Sequence, residues 1–183
     1  MRVYFDTGIF IDYLSIRGNT SAILRSAERR GRAPADIAAD AERLFEKVSR
    51  AHIGATSCLT YYEVEEAHYR LLAQSANGVS RADTFLIPAA RAITTQVQIV
   101  VEVFSLSVPD LTPATVRLQL QQLDLQTRGI RAADALHAAS AIEFDADLLV
   151  STGNAVLQLD GLLTNARGCG ILCRDTDSAL QLL

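Results

Sequence analysis

Three acidic residues lie next to apolar stretches of the sequence instead of in charged surface runs. Asp6 directly follows the run Val-Tyr-Phe, Glu63 lies between a tyrosine and a valine, and Asp134 lies between alanines. Burying several carboxylates together costs free energy unless a cation balances their charge. Ligands that are all oxygen suit Mg²⁺ or Mn²⁺ better than zinc. These residues therefore predict a site for a divalent cation.

Each acid taken alone also has a purely structural interpretation. Asp6 could cap the helix that follows it, and Asp134 could gain ~0.3–1 kcal/mol from the dipole of its own helix. Glu63 could belong to a solvated face that it shares with Glu65 and Glu66. The case for a shared site therefore depends on whether the fold brings the three acids together.

The elements that would position these acids follow from the hydropathy pattern. Short apolar runs alternate with longer amphipathic ones, which predicts an α/β fold around a mostly parallel sheet of about five strands. The predicted strands are at 3–5, 52–55, 100–106, 147–151 and 170–173. The predicted helices are at 8–14, from Pro34 onward, at 57–76, at 81–98, from Thr112-Pro113 to Arg128-Gly129, at 131–144 and after Asn154.

Ligands of an open parallel sheet collect where the strands end at their carboxyl edge. The first predicted strand ends at Asp6-Thr7 and the fourth at residues 151–154. We therefore expect these two segments to meet at one edge of the sheet. Residues 16–33 have the least regular pattern and are interpreted as an inserted loop, helix or lid.

Composition limits the class of protein. The 183 residues, 49% of them hydrophobic, are enough for one domain spanning 1–183 with a sizeable core. A formal net charge of −4 argues against a general RNA-coating protein, so any contact with RNA must be local or helped by a bound cation. The sequence shows no secretory leader and no run of ~18 apolar residues, so we expect a cytoplasmic protein without a membrane span. Cys169 and Cys173 have no histidine nearby and make a poor zinc signature.

Four short motifs together resemble the family of PIN-domain nucleases, metal-dependent enzymes that cut single-stranded RNA. Val-Tyr-Phe-Asp6-Thr resembles the opening of PIN domains, whose first strand ends on an aspartate followed by Thr or Ser. Thr-Tyr-Tyr-Glu63-Val is similar to the segment with the second acid, and Asp134-Ala-Leu-His-Ala-Ala-Ser-Ala to the helix with the third. Leu-Val-Ser-Thr152-Gly-Asn154 resembles the family's strand ending in Thr-x-Asp or Thr-x-Asn. The motifs occur in the family's order across essentially the whole chain, and the chain most resembles VapC-type toxins.

The resemblance implies a PIN-like three-layer α/β/α sandwich and an endoribonuclease that depends on Mg²⁺ or Mn²⁺. Asp6, Glu63 and Asp134 would hold the cation, partly through water, and Asn154 would complete the catalytic pocket. Such a site hydrolyses the phosphodiester bonds of single-stranded RNA or tRNA and leaves a 5′-phosphate and a 3′-hydroxyl. VapC-type toxins also imply two protein partners, a second copy in a homodimer and a small antitoxin that covers the acidic pocket.

Three further residues are candidates for contacts with the substrate. Thr7 and Thr152 would orient a carboxylate, a water or the RNA through their hydroxyls. Arg131, just before Asp134, would contact an RNA phosphate, although arginines are also common at helix ends. His137 is interpreted as a packed or capping histidine, and Asp12 as a surface acid.

Two departures from the family pattern keep other functions open. Gly8 stands where many members have asparagine, and Asn154 is neutral where many have an acid. One alternative is a PIN-type nuclease that processes RNA or cuts DNA without an antitoxin. Another is a degenerate domain that only binds RNA or protein.

Overall fold

Four parallel strands form the central sheet of the computed structural model, which describes residues 1–17, 29, 31–122, 125 and 127–183. The strands are β1 (Arg2–Phe5), β2 (Ile53–Ala55), β3 (Leu148–Val150) and β4 (Leu172–Arg174). Their order in the sheet is β2-β1-β3-β4, with all neighbours parallel. Along the chain, β2 is added on one side of β1, and β3 and β4 are added on the other side. The strand order therefore reverses between β1 and β3, and open α/β sheets bind ligands at the carboxyl ends of the two strands that flank such a reversal.

Helices cover both faces of this sheet. Eight are formed by the described residues: α1 (Thr7–Arg17), α2 (Pro34–Ala51), α3 (Leu59–Ser75), α4 (Asp83–Val103), α5 (Pro113–Gln122), α6 (Ala132–Glu143), α7 (Asn154–Leu157) and α8 (Thr176–Leu182).

The alternation of side chains along β1 separates two apolar cores. Val3 and Phe5 face a core that they share with α1, α2, α3, α4 and α8, whereas Tyr4 faces a second core with α6 and α7. The sheet thus lies between two layers of helices. The predicted α/β fold and its three-layer arrangement are confirmed.

Two of the predicted helix starts are confirmed by their capping geometry. Pro34 opens α2 in the first turn, where a missing N–H removes no helical hydrogen bond. The Thr112 hydroxyl oxygen accepts hydrogen bonds from the backbone N–H groups of Ala114 and Thr115, with both N–O distances at 3.2 Å, and so caps α5. The predicted end of that helix at Arg128-Gly129 is wrong, because Leu125 and 127–129 lie in a turn, in which Gly129 has a φ of 74°.

The predicted strand at 100–106 is also wrong, and the described sheet has four strands where about five were expected. Helix α4 continues to Val103, since Val97, Val100 and Val101 prolong its buried face at helical spacing. Packing on this face overrides the preference of valine for strands. Only Ser107, beyond the helix, makes an isolated parallel bridge, to Ala55 at the edge of the sheet.

Helix α4 is the one helix in the described part of the chain that is long and apolar enough to cross a membrane by length and composition alone. It packs along α3 and directs Ile93, Val97 and Val100 into the first core. This arrangement is typical of a core helix in a globular fold.

Most of the predicted insertion at 16–33 lies outside the described residues. Arg29, one of the described residues of that segment, has its Nη2 2.6 Å from Oδ2 of Asp12 in α1. Asp12 is only 2% exposed, so its prediction as a surface acid is wrong. The paired guanidinium compensates the burial of this carboxylate.

Candidate functional site

Asp6 lies directly after β1 and is tied to β3 by two hydrogen bonds. Its backbone N–H donates to the carbonyl of Val150 at 2.9 Å. The hydroxyl of Ser151, the residue after β3, donates to Oδ2 of Asp6 at 2.5 Å. Asp6 is buried, so the ends of the two central strands together fix the orientation of its carboxylate.

Glu63 reaches the same edge of the sheet from α3. Its Oε2 accepts a hydrogen bond from the Thr7 hydroxyl at 2.5 Å and another from Nε2 of His137 at 2.7 Å. Burial alone would raise the pKa of Glu63, but the hydrogen bond and charge of His137, together with the Thr7 hydroxyl, outweigh it and lower the pKa. Glu63 is therefore held as a carboxylate.

Asp134 approaches from the first turn of α6 and is half-buried. Burial, followed by the negative charges of Asp6 and Glu63, raises the pKa of Asp134 against the opposing charges of His137 and Arg131. The three acids selected from the sequence therefore meet, and they repel one another.

An open cleft connects the three acids to solvent. Its volume is about 640 Å³, measured out to the open mouth. It is lined by Asp6, Thr7, Gly8, Ile11, Glu63, Glu66, Ala67, Arg70, Asp134, Thr152 and Gly153. Thr7 and Thr152 are thus where the sequence predicts them. Asn154 and Arg131 do not line the cleft: both are exposed, Asn154 at the start of α7 and Arg131 just before α6.

Arg70 also lines the cleft, although no motif in the sequence singles it out. It lies on α3, two turns beyond Glu63, and donates to Glu66 at 2.7 Å. Its helical spacing from Glu63 is the signal that could have indicated a shared face.

Gly8 lies against Thr152 at the wall of the cleft. A Cβ built on Gly8 would lie 2.1 Å from Oγ1 of Thr152 and 3.1 Å from its Cβ. This close approach explains why a residue without a side chain stands here. The departure from the family pattern at Gly8 is thus coupled to the packing of Thr152.

His137 lies against two of the acids, although the sequence did not assign it to the site. It is buried as predicted, but its Nε2 lies 2.7 Å from Glu63 and 3.7 Å from Oδ1 of Asp6. Burial opposes its ionisation, whereas the hydrogen bond to Glu63 and the charges of Asp6, Glu63 and Asp134 favour it and raise the pKa of His137 overall. A usable signal existed: α6 is apolar on nearly all faces, so a histidine inside it must find buried polar partners.

The residues at this edge fit a small divalent cation. Ligand atoms of Asp6, Glu63 and His137 all lie within 4.8 Å of one another, and Asp134 faces the same cleft from outside that group. Mg²⁺ is usually held at ~2.1 Å by one or two carboxylates and keeps several waters, a pattern that suits carboxylates at an open cleft. Burial first, and then the negative charges of Asp6 and Glu63, raise the pKa of Asp134, and a bound cation would offset the effect of those charges.

Comparison with known proteins supports the fold. No protein-family model matches the sequence, and no curated protein sequence matches it either. The structure is similar to a chain in the crystal structure of VapBC2 from Rickettsia felis bound to a DNA fragment from their promoter. That similarity has a TM-score of 0.52 at 13% identity and covers 96% of this chain and 98% of the other. The chain therefore has the fold of that VapBC2 chain over nearly all of its length.

Proposed function

We propose that this chain is a divalent-metal-dependent endoribonuclease that cleaves single-stranded RNA and acts as the toxin of a toxin–antitoxin pair. The observation that carries the proposal is the convergence of Asp6, Glu63 and Asp134, from three separate elements, at one open cleft. The resemblance of the same three positions to the acids of PIN-domain nucleases supports it. So does the similarity in fold to VapBC2.

Asp6, Glu63 and Asp134 would hold Mg²⁺ or Mn²⁺ in this cleft. When bound, such a cation polarises a phosphate and promotes ionisation of water at neutral pH. The chain itself contributes the orientation of the carboxylates. Ser151 fixes Asp6, and Thr7 fixes Glu63, each through a hydroxyl hydrogen bond at 2.5 Å.

Contacts with the RNA are proposed for residues around the mouth of the cleft. Thr152 lines the wall next to Gly8, and Arg70 lines it on the α3 side. Arg131 lies outside the lining but close enough for its charge to act on Asp134. Asn154, exposed beyond Gly153, is proposed to take part only at the outer edge of the site. Guanidinium groups at Arg70 and Arg131 would bind phosphate oxygens.

A partner protein is proposed on the exposed apolar side of α3 and α4. Tyr62 of α3 and Ile87 of α4 are both at least 43% exposed and line one groove between these helices. Apolar surface of this kind is suited to a homodimer or to a small antitoxin. Residues 16–33 are a second proposed contact, and antitoxin binding that survives their deletion would remove them from the proposal.

Cleavage of labelled single-stranded RNA by the purified full chain tests the function. Wild type should cut only with Mn²⁺ or Mg²⁺, Asp6→Asn should be inactive, and Asp110→Asn, an exposed acid outside the cleft, should behave as wild type. A folded wild type that binds Mn²⁺ and cuts no RNA would favour the degenerate binding domain. Co-expression with the product of a short neighbouring reading frame distinguishes the two kinds of nuclease. The RNA cleavage of a toxin should be suppressed by that product, whereas the cleavage of a processing nuclease should not change.

A further inference from the structure

A continuous hydrogen-bonded chain runs from the sheet to the cleft through His137. The hydroxyl of Tyr4, in β1, lies 3.1 Å from Nδ1 of His137, in α6. Nε2 of the same ring lies 2.7 Å from Oε2 of Glu63, in α3. Tyr4 and His137 have no exposed surface, so this series of hydrogen bonds is shielded from water until it reaches Glu63.

The direction of these hydrogen bonds follows from the chemistry of the groups. Glu63 is ionised and can only accept, so Nε2 of His137 carries a proton and donates it. Nδ1 of His137 shares the second hydrogen bond with the Tyr4 hydroxyl, which donates to a neutral ring and accepts from a protonated one. Each partner therefore restricts the rotamer of the next.

Both hydrogen bonds that Glu63 accepts within the described residues fall on the same oxygen. Oε2 receives the Thr7 hydroxyl at 2.5 Å and the His137 N–H at 2.7 Å. Two donors on Oε2 hold that oxygen toward the interior. The carboxylate is thereby oriented with Oε1 as the oxygen available to the cleft, which Glu63 lines.

Packing alone does not require this arrangement. The imidazole of His137 is buried with its ring centroid 6.0 Å from that of Tyr4, and an apolar side chain would fill this space without desolvating an imidazole. Buried polar networks that are fully satisfied make the orientation of their members specific. Here the member at the end of the network is a proposed metal ligand.

We propose that His137, supported by Tyr4, is a positioning residue that orients the Glu63 carboxylate for metal binding. This inference rests on the proposed function, since it assigns a role to Glu63 as a ligand. It gives His137 no contact with the cation. Loss of a residue that orients a metal ligand typically weakens metal affinity by about 10–100-fold.

Mn²⁺ affinity of the full chain, measured from the electron paramagnetic resonance signal of free Mn²⁺, tests the inference without any RNA. His137→Leu should bind Mn²⁺ about 10–100-fold more weakly than wild type. His137→Gln should recover most of the affinity, because its side-chain N–H can replace the Nε2 donor. His68→Leu removes a second buried helical histidine that lies outside the cleft and should leave the affinity unchanged. Tyr4→Phe, which keeps the aromatic ring, should weaken Mn²⁺ binding several-fold. This variant provides the test if His137→Leu does not fold.

Three outcomes would overturn the inference. Unchanged Mn²⁺ affinity in folded His137→Leu and in Tyr4→Phe would refute it and leave the proposed function intact. Electron spin echo modulation from a ¹⁴N nucleus in wild type, lost in His137→Leu, would make His137 a ligand instead. Failure of wild type to bind Mn²⁺ at all would refute this inference and the metal site of the proposed function together.

Discussion

Asp134→Asn should stabilise the metal-free protein while removing most of the stability that Mn²⁺ provides. Without metal, burial and then the carboxylates of Asp6 and Glu63 raise the pKa of Asp134, and asparagine removes this disfavoured charge with almost the same shape. Because Asp134 is only half-buried, solvent screening limits the gain to about 0.5–1 kcal/mol. A stabilising loss of charge is unusual for a residue with a purely structural role.

The effect of the metal should be larger and of opposite sign. At free Mn²⁺ of 100 times Kd, wild type gains about 2.7 kcal/mol. For a chain of 183 residues this raises Tm by about 5–11 °C, at ~2–4 °C for each kcal/mol. If Asp134→Asn binds about 100-fold more weakly, the same Mn²⁺ concentration gives it only about 0.4 kcal/mol, or ~1–2 °C.

Thermal unfolding followed by circular dichroism, in EDTA and at one fixed Mn²⁺ concentration, measures both effects. Asp110→Asn is the matched control, because it removes an exposed aspartate away from the cleft. Its Tm should follow that of wild type in both conditions. A lower Tm for Asp134→Asn in EDTA, combined with an unchanged gain from Mn²⁺, would refute the placement of Asp134 in a shared metal site.

Two other predictions concern packing and thiol reactivity. Gly8→Ala should lower the free energy of unfolding in urea by about 1–3 kcal/mol, because a Cβ there would lie 2.1 Å from the Thr152 hydroxyl. Adding Thr152→Ala should recover most of that loss, and an equal effect of Gly8→Ala in both backgrounds would contradict the packing argument. Cys58 and Cys169, which are exposed, should react with dithiobis(nitrobenzoate) at about pH 8 much faster than Cys173, since burial raises the pKa of the Cys173 thiol to about 12. Three thiols of equal rate in the folded protein would show that Cys173 is not shielded.

Much of the fold was predictable because local pattern and tertiary packing agree. The end of β1 before Asp6 and the end of β3 before Ser151 follow from apolar runs with a polar residue after them. Since parallel strands share one carboxyl edge, the meeting of Asp6 with residues 151–153 follows from the pattern as well. The segment at 100–106 was not predictable in this way. A valine-rich run satisfies both strand preference and a buried helical face, and only the packing of α4 decides between them.

The candidate site was predictable in its acids but not in their supporting residues. Glu63 and Asp134 lie on apolar helical faces, and an acid in such a position is conspicuous in the sequence alone. His137 was not recognised as part of the site, because a single buried histidine gives no sign of which helix it faces. Asn154 matches a family motif, yet it is exposed and outside the cleft lining, since α7 begins at this residue. A motif specifies position along the chain, whereas the direction of a side chain depends on the element it joins.

The most direct test of the central claim compares metal binding and RNA cleavage in the same preparation. The rate of cleavage of single-stranded RNA should rise with Mn²⁺ along the same curve as Mn²⁺ binding, with no cleavage in EDTA. In Asp134→Asn both curves should move together to higher Mn²⁺ concentration. Cleavage that persists in EDTA, or that follows a curve unrelated to binding and unchanged by Asp134→Asn, would contradict the assignment of this cleft as a metal-dependent nuclease site.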